Sequence, residues 1–248
     1  MKIDAQGMYY RDLNAQIRDA VSSGTTSIEL DNVNGQYYIG DGVNKPVTIT
    51  INGVPGNDLA AFMNGATIIV NENAQDNIGN TMNAGKVIVH GHAGDVLGYG
   101  MRGGKIHILK DVGYRVGIHM KSYLDNKPAL IAGGKAGDFF GEYMAGGILI
   151  LLGMYSDDPK KAKHGYLLGT GMHGGVIYVR GDVDESRLSK EVGVFEMDAD
   201  DLAVVKGFIT DFCADFGLDV QDVLRERFVK ILPRSKRPYG NMYCPMPK

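Results

Sequence analysis

The sequence predicts a mainly β fold, a parallel β-solenoid with about 19 residues per coil, and three observations carry that reading. Of the 35 glycines in 248 residues, 23 fall between Gly79 and Gly181, and only four follow Gly181. Met63, Met82, Met101 and Met120 are each 19 residues apart, a run of coincidences with a chance of about one in ten thousand per starting point. Aliphatic residues then recur five and seven positions after the reference methionines, as Ile68 and Val70, Val87 and Val89, Ile106 and Ile108, Leu149 and Leu151, and Ile177 and Val179. A 19-residue period is too short for two helices and suits one coil of short strands joined by tight corners. Coils stacked about 4.8 Å apart put each residue over its equivalent in the next coil, so a corner with no room for a Cβ demands glycine at every level.

The elements follow in chain order. Residues 1–24 form an amino-terminal helical segment: Leu13, Ile17, Ala20 and Val21 have i, i+4, i+7, i+8 spacing, with Gly24 closing the helix. Residues 25–183 carry the coils, and the frame extends back through Ile49 and Ile51 to Leu30. Gly79, Gly98, Gly117, Gly141 and Gly169 stand three before a methionine, and small pairs such as Gly103-Gly104, Gly146-Gly147 and Gly174-Gly175 stand two and three after. Ala84-Gly85 belongs to the same set. Met144 and Met172 come after intervals of 24 and 28, with the excess placed in loops at Ser122–Lys127 and Ser156–His164. The position six after each methionine is mixed (Ile69, Ile88, His107, Ile150, Tyr178) and suits the outer strand face. Residues 184–248 form a helical extension and tail. Asp198 caps a helix with a stripe of Leu202, Val205, Ile209, Phe212 and Phe216 that ends at Gly217. Asp219 starts a second, carrying Val220, Val223, Leu224, Phe228 and Ile231 to Pro233. Helices at both ends would blunt the open strand edges of a solenoid.

Composition excludes several functions. Net charge is −3, which gives no reason to expect a polyanion, and the basic run Arg225–Arg237 has no interleaved stacking aromatics, so no nucleic-acid partner is expected. No apolar run reaches the roughly 20 residues of a membrane span, and no signal peptide is seen, so the expected location is the cytoplasm. Two cysteines, Cys213 and Cys244, cannot hold an iron–sulfur cluster. Two G-x-G-x-x-G matches, Gly98–Gly103 and Gly169–Gly174, precede strands rather than helices and stay in the repeat register, against a dinucleotide site. The metal candidate is the trio His90, His92 and His107, placed by the frame on one outer flank but without a fourth ligand and expected to be solvated. Asp138 and Glu142 could form an acid/base pair, but Asp95 occupies the place of Asp138 in an earlier coil, so a corner-capping role is expected for the aspartates.

The phrases GDFFGEYMAGGILILLG (137–153) and GYLLGTGMHGGVIYVRG (165–181) resemble the GXGXG domain at the carboxyl end of the glutamate synthase large subunit, with the resemblance running from about Thr25 to Asp182. The resemblance implies a single-stranded right-handed parallel β-helix that holds catalytic domains in place and supplies no catalytic or cofactor-binding side chain. A similar repeat occurs in the C subunit of formylmethanofuran dehydrogenase. Residue 2 is Lys, where an amidotransferase of that family would start with a nucleophilic Cys, and the chain has no room for an FMN-binding barrel of about 250 residues. The expectation is therefore a stand-alone scaffold subunit of a glutamate synthase-type complex, with separately encoded glutaminase and synthase partners carrying FMN and the iron–sulfur cluster. The alternatives are a subunit of a molybdenum or tungsten enzyme and an independent hydrolase or metal enzyme. Self-association is left open, and the basic tail Arg234–Lys248 is expected to contact a partner.

Overall fold

A computed structural model describes residues 1–155 and 163–235. Among the described residues the chain forms a parallel β-solenoid of about six turns with three α-helices. Nine parallel strands stack in chain order: β1 (Lys2–Asp4), β2 (Ser27–Asn34), β3 (Thr48–Val54), β4 (Asn64–Val70), β5 (Ala84–Val89), β6 (Lys105–Ile108), β7 (Ala129–Ala132), β8 (Ala145–Leu151) and β9 (Gly174–Arg180). The stack thus begins at Lys2, ahead of the first strand read from the sequence, with β1 parallel to β2.

Strand register matches the repeat frame. Ile49, Ile68, Val87, Ile106, Leu130, Leu149 and Ile177 are successive register partners, and all are fully buried. Each such side chain contributes roughly 1.5–3 kcal/mol by burial, so one ladder supplies a large share of the core's driving force. Met63, Met82, Met101, Met120, Met144 and Met172 are likewise fully buried and form a second interior ladder. The extra residues 122–127 leave the register intact, since Lys105 through Ile108 still pair with Ala129 through Ala132. The second inserted loop falls mainly on residues 156–162, outside the described residues.

Helix α1 (Tyr10–Ser22) follows β1 and buries Leu13, Ile17, Ala20 and Val21 in the same core as Ile28, Leu30 and Ile39. Helix α2 (Ala199–Phe216) starts as expected, with a capping box in which Asp198 Oδ1 accepts from the Asp201 amide at 2.8 Å and the Asp198 amide donates to Asp201 at 3.0 Å. It ends at Gly217 in the left-handed conformation, φ +66°. Its position differs from expectation, because it lies across the outer face of the sheet instead of closing the end. Val205, Ile209 and Phe212 pack on Ile131, Ile150 and Tyr178 in a second core. The outer-face column Ile88, His107, Ile131, Ile150, Tyr178 is too apolar to face water, and α2 covers it.

The expected last helix is also corrected. Helix α3 is short, Val220–Leu224, capped by Asp219, and Phe228–Pro233 is a strand, β11, that pairs antiparallel with β9 and with β10 (Val192–Phe195). The cause is the open edge of β9: its backbone donors and acceptors need partners, and a strand satisfies them where another helical turn would not. The solenoid is therefore closed at this end by a hairpin-like pair of strands.

Candidate functional site

The corners between strands show why the glycine pattern exists. Positive φ recurs at every second residue of the corner, as at Arg115 (+57°), Gly117 (+76°) and His119 (+54°), and at Phe139 (+63°), Gly141 (+76°) and Tyr143 (+50°). The middle position of the triplet faces the interior. A Cβ on Gly117 would lie 2.6 Å from Leu149 Cδ1, and one on Gly141 would lie 2.6 Å from Ile177 Cδ1. Coils are stitched here by backbone bonds one repeat apart, such as Gly98 N–H to Ile78 O at 2.8 Å and Gly117 N–H to Leu97 O at 2.7 Å. Amides of both G-x-G-x-x-G segments are spent in this way, and β6 and β9 follow them instead of helices.

The aspartates act as corner caps. Asp95 Oδ1 accepts from the Tyr114 amide at 2.8 Å, Asp138 Oδ1 from the Tyr166 amide at 2.7 Å, and Asp76 Oδ1 from the Asp95 amide at 2.8 Å. Glu142 is 5% exposed and is held by Arg115 Nη1 at 2.5 Å, so it and Asp138 serve separate structural partners.

The histidine trio is divided among different contacts. His90 meets the Phe216 ring edge-on at 5.1 Å, and His92 is exposed with Nδ1 3.7 Å from Asp111. His107 is the exception to the expected solvation: its side chain is fully buried beneath α2, with Nδ1 2.6 Å from Asp215 Oδ2. Burial pushes its pKa below the usual value, and the Asp215 hydrogen bond offsets part of that. His107 Nε2 has no hydrogen-bond partner among the described residues. No group of three His, Cys, Asp or Glu among the described residues is arranged to hold a metal ion.

Around His107 lies a compact ion cluster. Lys86 Nζ bonds Asp211 at 2.8 Å and Asp215 at 2.6 Å, and Lys105 Nζ bonds Asp211 at 2.6 Å. Lys86 and Lys105 are register partners on adjacent strands, so the repeat delivers two ammonium groups to one carboxylate. Burial works against ionisation of Asp211, but its hydrogen bonds from Lys105 and Lys86 prevail and hold its pKa at about 2. Local spacing gave no sign of this cluster, because Asp211 and Asp215 lie more than 100 residues from their partners. Beside it opens a shallow groove of about 460 Å³, bordered by Lys105, Lys127, Asn126 and Phe208. At the other end of α2, Asp201 accepts from the Tyr178 hydroxyl at 2.7 Å and pairs with Lys230.

The remaining candidates have structural roles. Cys213 is buried in α2, where it packs as a small apolar residue, and Cys244 lies outside the described residues. In the basic run, Arg225 pairs with Asp222, Arg227 with Asp182 and Lys230 with Asp201, while Lys236, Arg237 and the tail lie outside the described residues. No described helix is long and apolar enough to cross a membrane.

On the corner wall itself, aromatic side chains of successive coils face outward. Tyr99, Tyr114 and Tyr166 are 41%, 52% and 57% exposed. His119 stacks on Tyr143 with ring centroids 5.2 Å apart and planes within 9°, and Tyr99 meets His119 at 5.8 Å. Arg115 lies over the Phe139 ring at 4.7 Å, and Arg187 over Tyr166 at 4.6 Å.

This architecture has known counterparts. A chain of the formyltransferase/hydrolase complex FhcABCD from Methylorubrum extorquens, solved with methylofuran, superposes with a TM-score of 0.62 at 20% identity, covering 83% of this chain and 73% of that one, a likeness of fold. The uncharacterized protein MJ1350 of Methanocaldococcus jannaschii is 50% identical over 251 residues, spanning 98% of this chain and 96% of its own length. With the family pattern matching residues 11–234, nearly the whole described solenoid and its closing strands, the chain belongs to the GXGXG motif family.

Proposed function

We propose that this chain is a non-catalytic scaffold subunit of a glutamate synthase-type complex, positioning a separately encoded glutaminase and a synthase that carries FMN and an iron–sulfur cluster. The observation that carries the reading is how the shielded carboxylates are used. Buried Glu142 and half-buried Asp201, Asp211 and Asp215 are each engaged by side chains of this same chain, which tie neighbouring coils and α2 together into one column. A column of fixed pitch is suited to setting distances between other proteins. The resemblance of the phrases at 137–153 and 165–181 to the glutamate synthase domain supports that form, and the cytoplasm is the corresponding compartment. Affinity purification of the tagged chain from its source cells tests this. Glutaminase and flavin-containing synthase chains are expected to co-elute, and hydrolytic or redox activity in the isolated chain would count against a scaffold.

A second reading, suggested by the similar repeat of formylmethanofuran dehydrogenase, is a β-helix subunit of a molybdenum or tungsten enzyme of that kind; the likeness to a chain of the multi-subunit FhcABCD formyltransferase/hydrolase complex supports only the part of it that makes the chain one subunit among several. Recovery of a pterin-containing dehydrogenase chain in the same purification would select it over the first.

A further inference from the structure

We propose that the corner wall bearing Tyr99, His119, Tyr143, Tyr114, Phe139 and Tyr166 is the face on which a partner subunit docks, and that the partner presents an apolar surface flanked by carboxylates. The proposal rests on the scaffold reading and names the face that reading leaves open. Tyrosine, aromatic and arginine side chains dominate the energetics of protein interfaces, and this wall concentrates them over consecutive coils. Its rings are already ordered: His119 is stacked on Tyr143, Phe139 lies under Arg115 and Tyr166 under Arg187. Little rotamer freedom remains to be lost on binding. The outer sheet face of β5 through β9 is unavailable for docking, since α2 already covers it.

Charge indicates what the partner carries. Of the wall's acidic groups, Glu142 is neutralised by Arg115, and Asp95 and Asp138 are turned inward to the amides of Tyr114 and Tyr166. At its margin, Arg102 and Lys121 occupy the same place in adjacent coils, one residue after Met101 and Met120. Neither side chain has a hydrogen bond or ion pair among the described residues, and Arg102 Nε is buried without an acceptor. A second copy of this chain would bring the same unpaired cations to the interface, so a different, acid-bearing protein is the better occupant.

The test uses the full-length tagged chain in its source cells, with quantitative mass spectrometry of the co-purifying glutaminase and synthase chains. The double substitution Tyr99→Ser with Tyr166→Ser, and separately Lys121→Glu, should each lower recovery of at least one of these chains tenfold or more with unchanged Tm. Leu202→Ser, on the exposed side of α2, should leave recovery intact. If the native chain recovers the partners and both wall variants recover them equally, the docking face is wrong while the scaffold reading stands. If the native chain recovers neither, the scaffold reading fails and takes the docking face with it. Loss of a self-associated species in the wall variants, seen by light scattering, would reassign the face to a second copy and overturn the proposal.

Discussion

His107 on β6 and Asp215 on α2 meet at 2.6 Å in a place where His107 has no exposed side-chain surface. The neutral ring donates from Nδ1, so protonation would place a charge on a buried Nε2 that has no partner among the described residues. Burial lowers the folded pKa below the unfolded value of about 6.5, hence the unfolded or undocked state binds more protons just below that pH. The resulting stability is present above about pH 6.5 and is lost as pH falls through the folded pKa. The protection factors of the α2 amides, measured relative to the intrinsic exchange rate at each pH, should fall between pH 7 and 5, and His107→Phe should flatten that dependence.

Asp201 and Asp211 respond lower on the scale. Both have pKa values of about 2: burial opposes ionisation, while Lys230 and Tyr178 favour it for Asp201, and Lys105 and Lys86 for Asp211. Depressed carboxylate values stabilise the docked helix above about pH 4 and lose that effect as pH drops toward 2. An acid titration of the docked helix followed by near-UV dichroism should therefore show a second loss in this range, and Asp211→Asn should diminish it.

Two glycines of one sequence pattern should differ in cost. Gly117→Ala combines a left-handed backbone with a Cβ 2.6 Å from Leu149 Cδ1, so roughly 2–5 kcal/mol is expected from strain plus overpacking. Gly100→Ala has a comparable φ of +57° but its nearest neighbour is Thr81 Oγ1 at 3.8 Å, so about 1–2 kcal/mol is expected. Denaturant unfolding of the two variants measures the difference.

Phe212 is fully buried against His107, with ring centroids 5.6 Å apart. Phe212→Ala should weaken α2 docking by about 3–5 kcal/mol. Hydrogen exchange should show that loss in α2 and much less in β3 and β4, which α2 does not cover.

The strands, their register and the interior ladders were legible because one short period repeats both in sequence and in space. Met82 and Met101 sit in equivalent places for the same reason that Ile68 and Val87 pair. The corner triplets were legible only where glycine occupied them; Arg115 and His119 adopt positive φ through the stacking of neighbouring coils, which their side chains do not advertise. Phe228 and Ile231 fit a helix stripe as well as a strand, and the unsatisfied edge of β9 decides between them. The apolar column of Ile88, Ile131 and Ile150 was the available clue that α2 lies on the sheet. Pairing of His107 with Asp215 joins residues 108 positions apart, beyond any local pattern.

Helix α2 also acts as a gauge of solenoid length. Asp201 is fixed to Tyr178 on β9, and Asp215 to Lys86 and His107 on β5 and β6. The 14 residues between these anchors rise about 21 Å, close to the roughly 19 Å of four strand spacings. Adding or deleting one coil between β6 and β9 would preserve every ladder inside the column and still leave one end of the helix without its counter-ions. Repeat number, which a stacked architecture is otherwise free to vary, is thereby held constant by a single external strut.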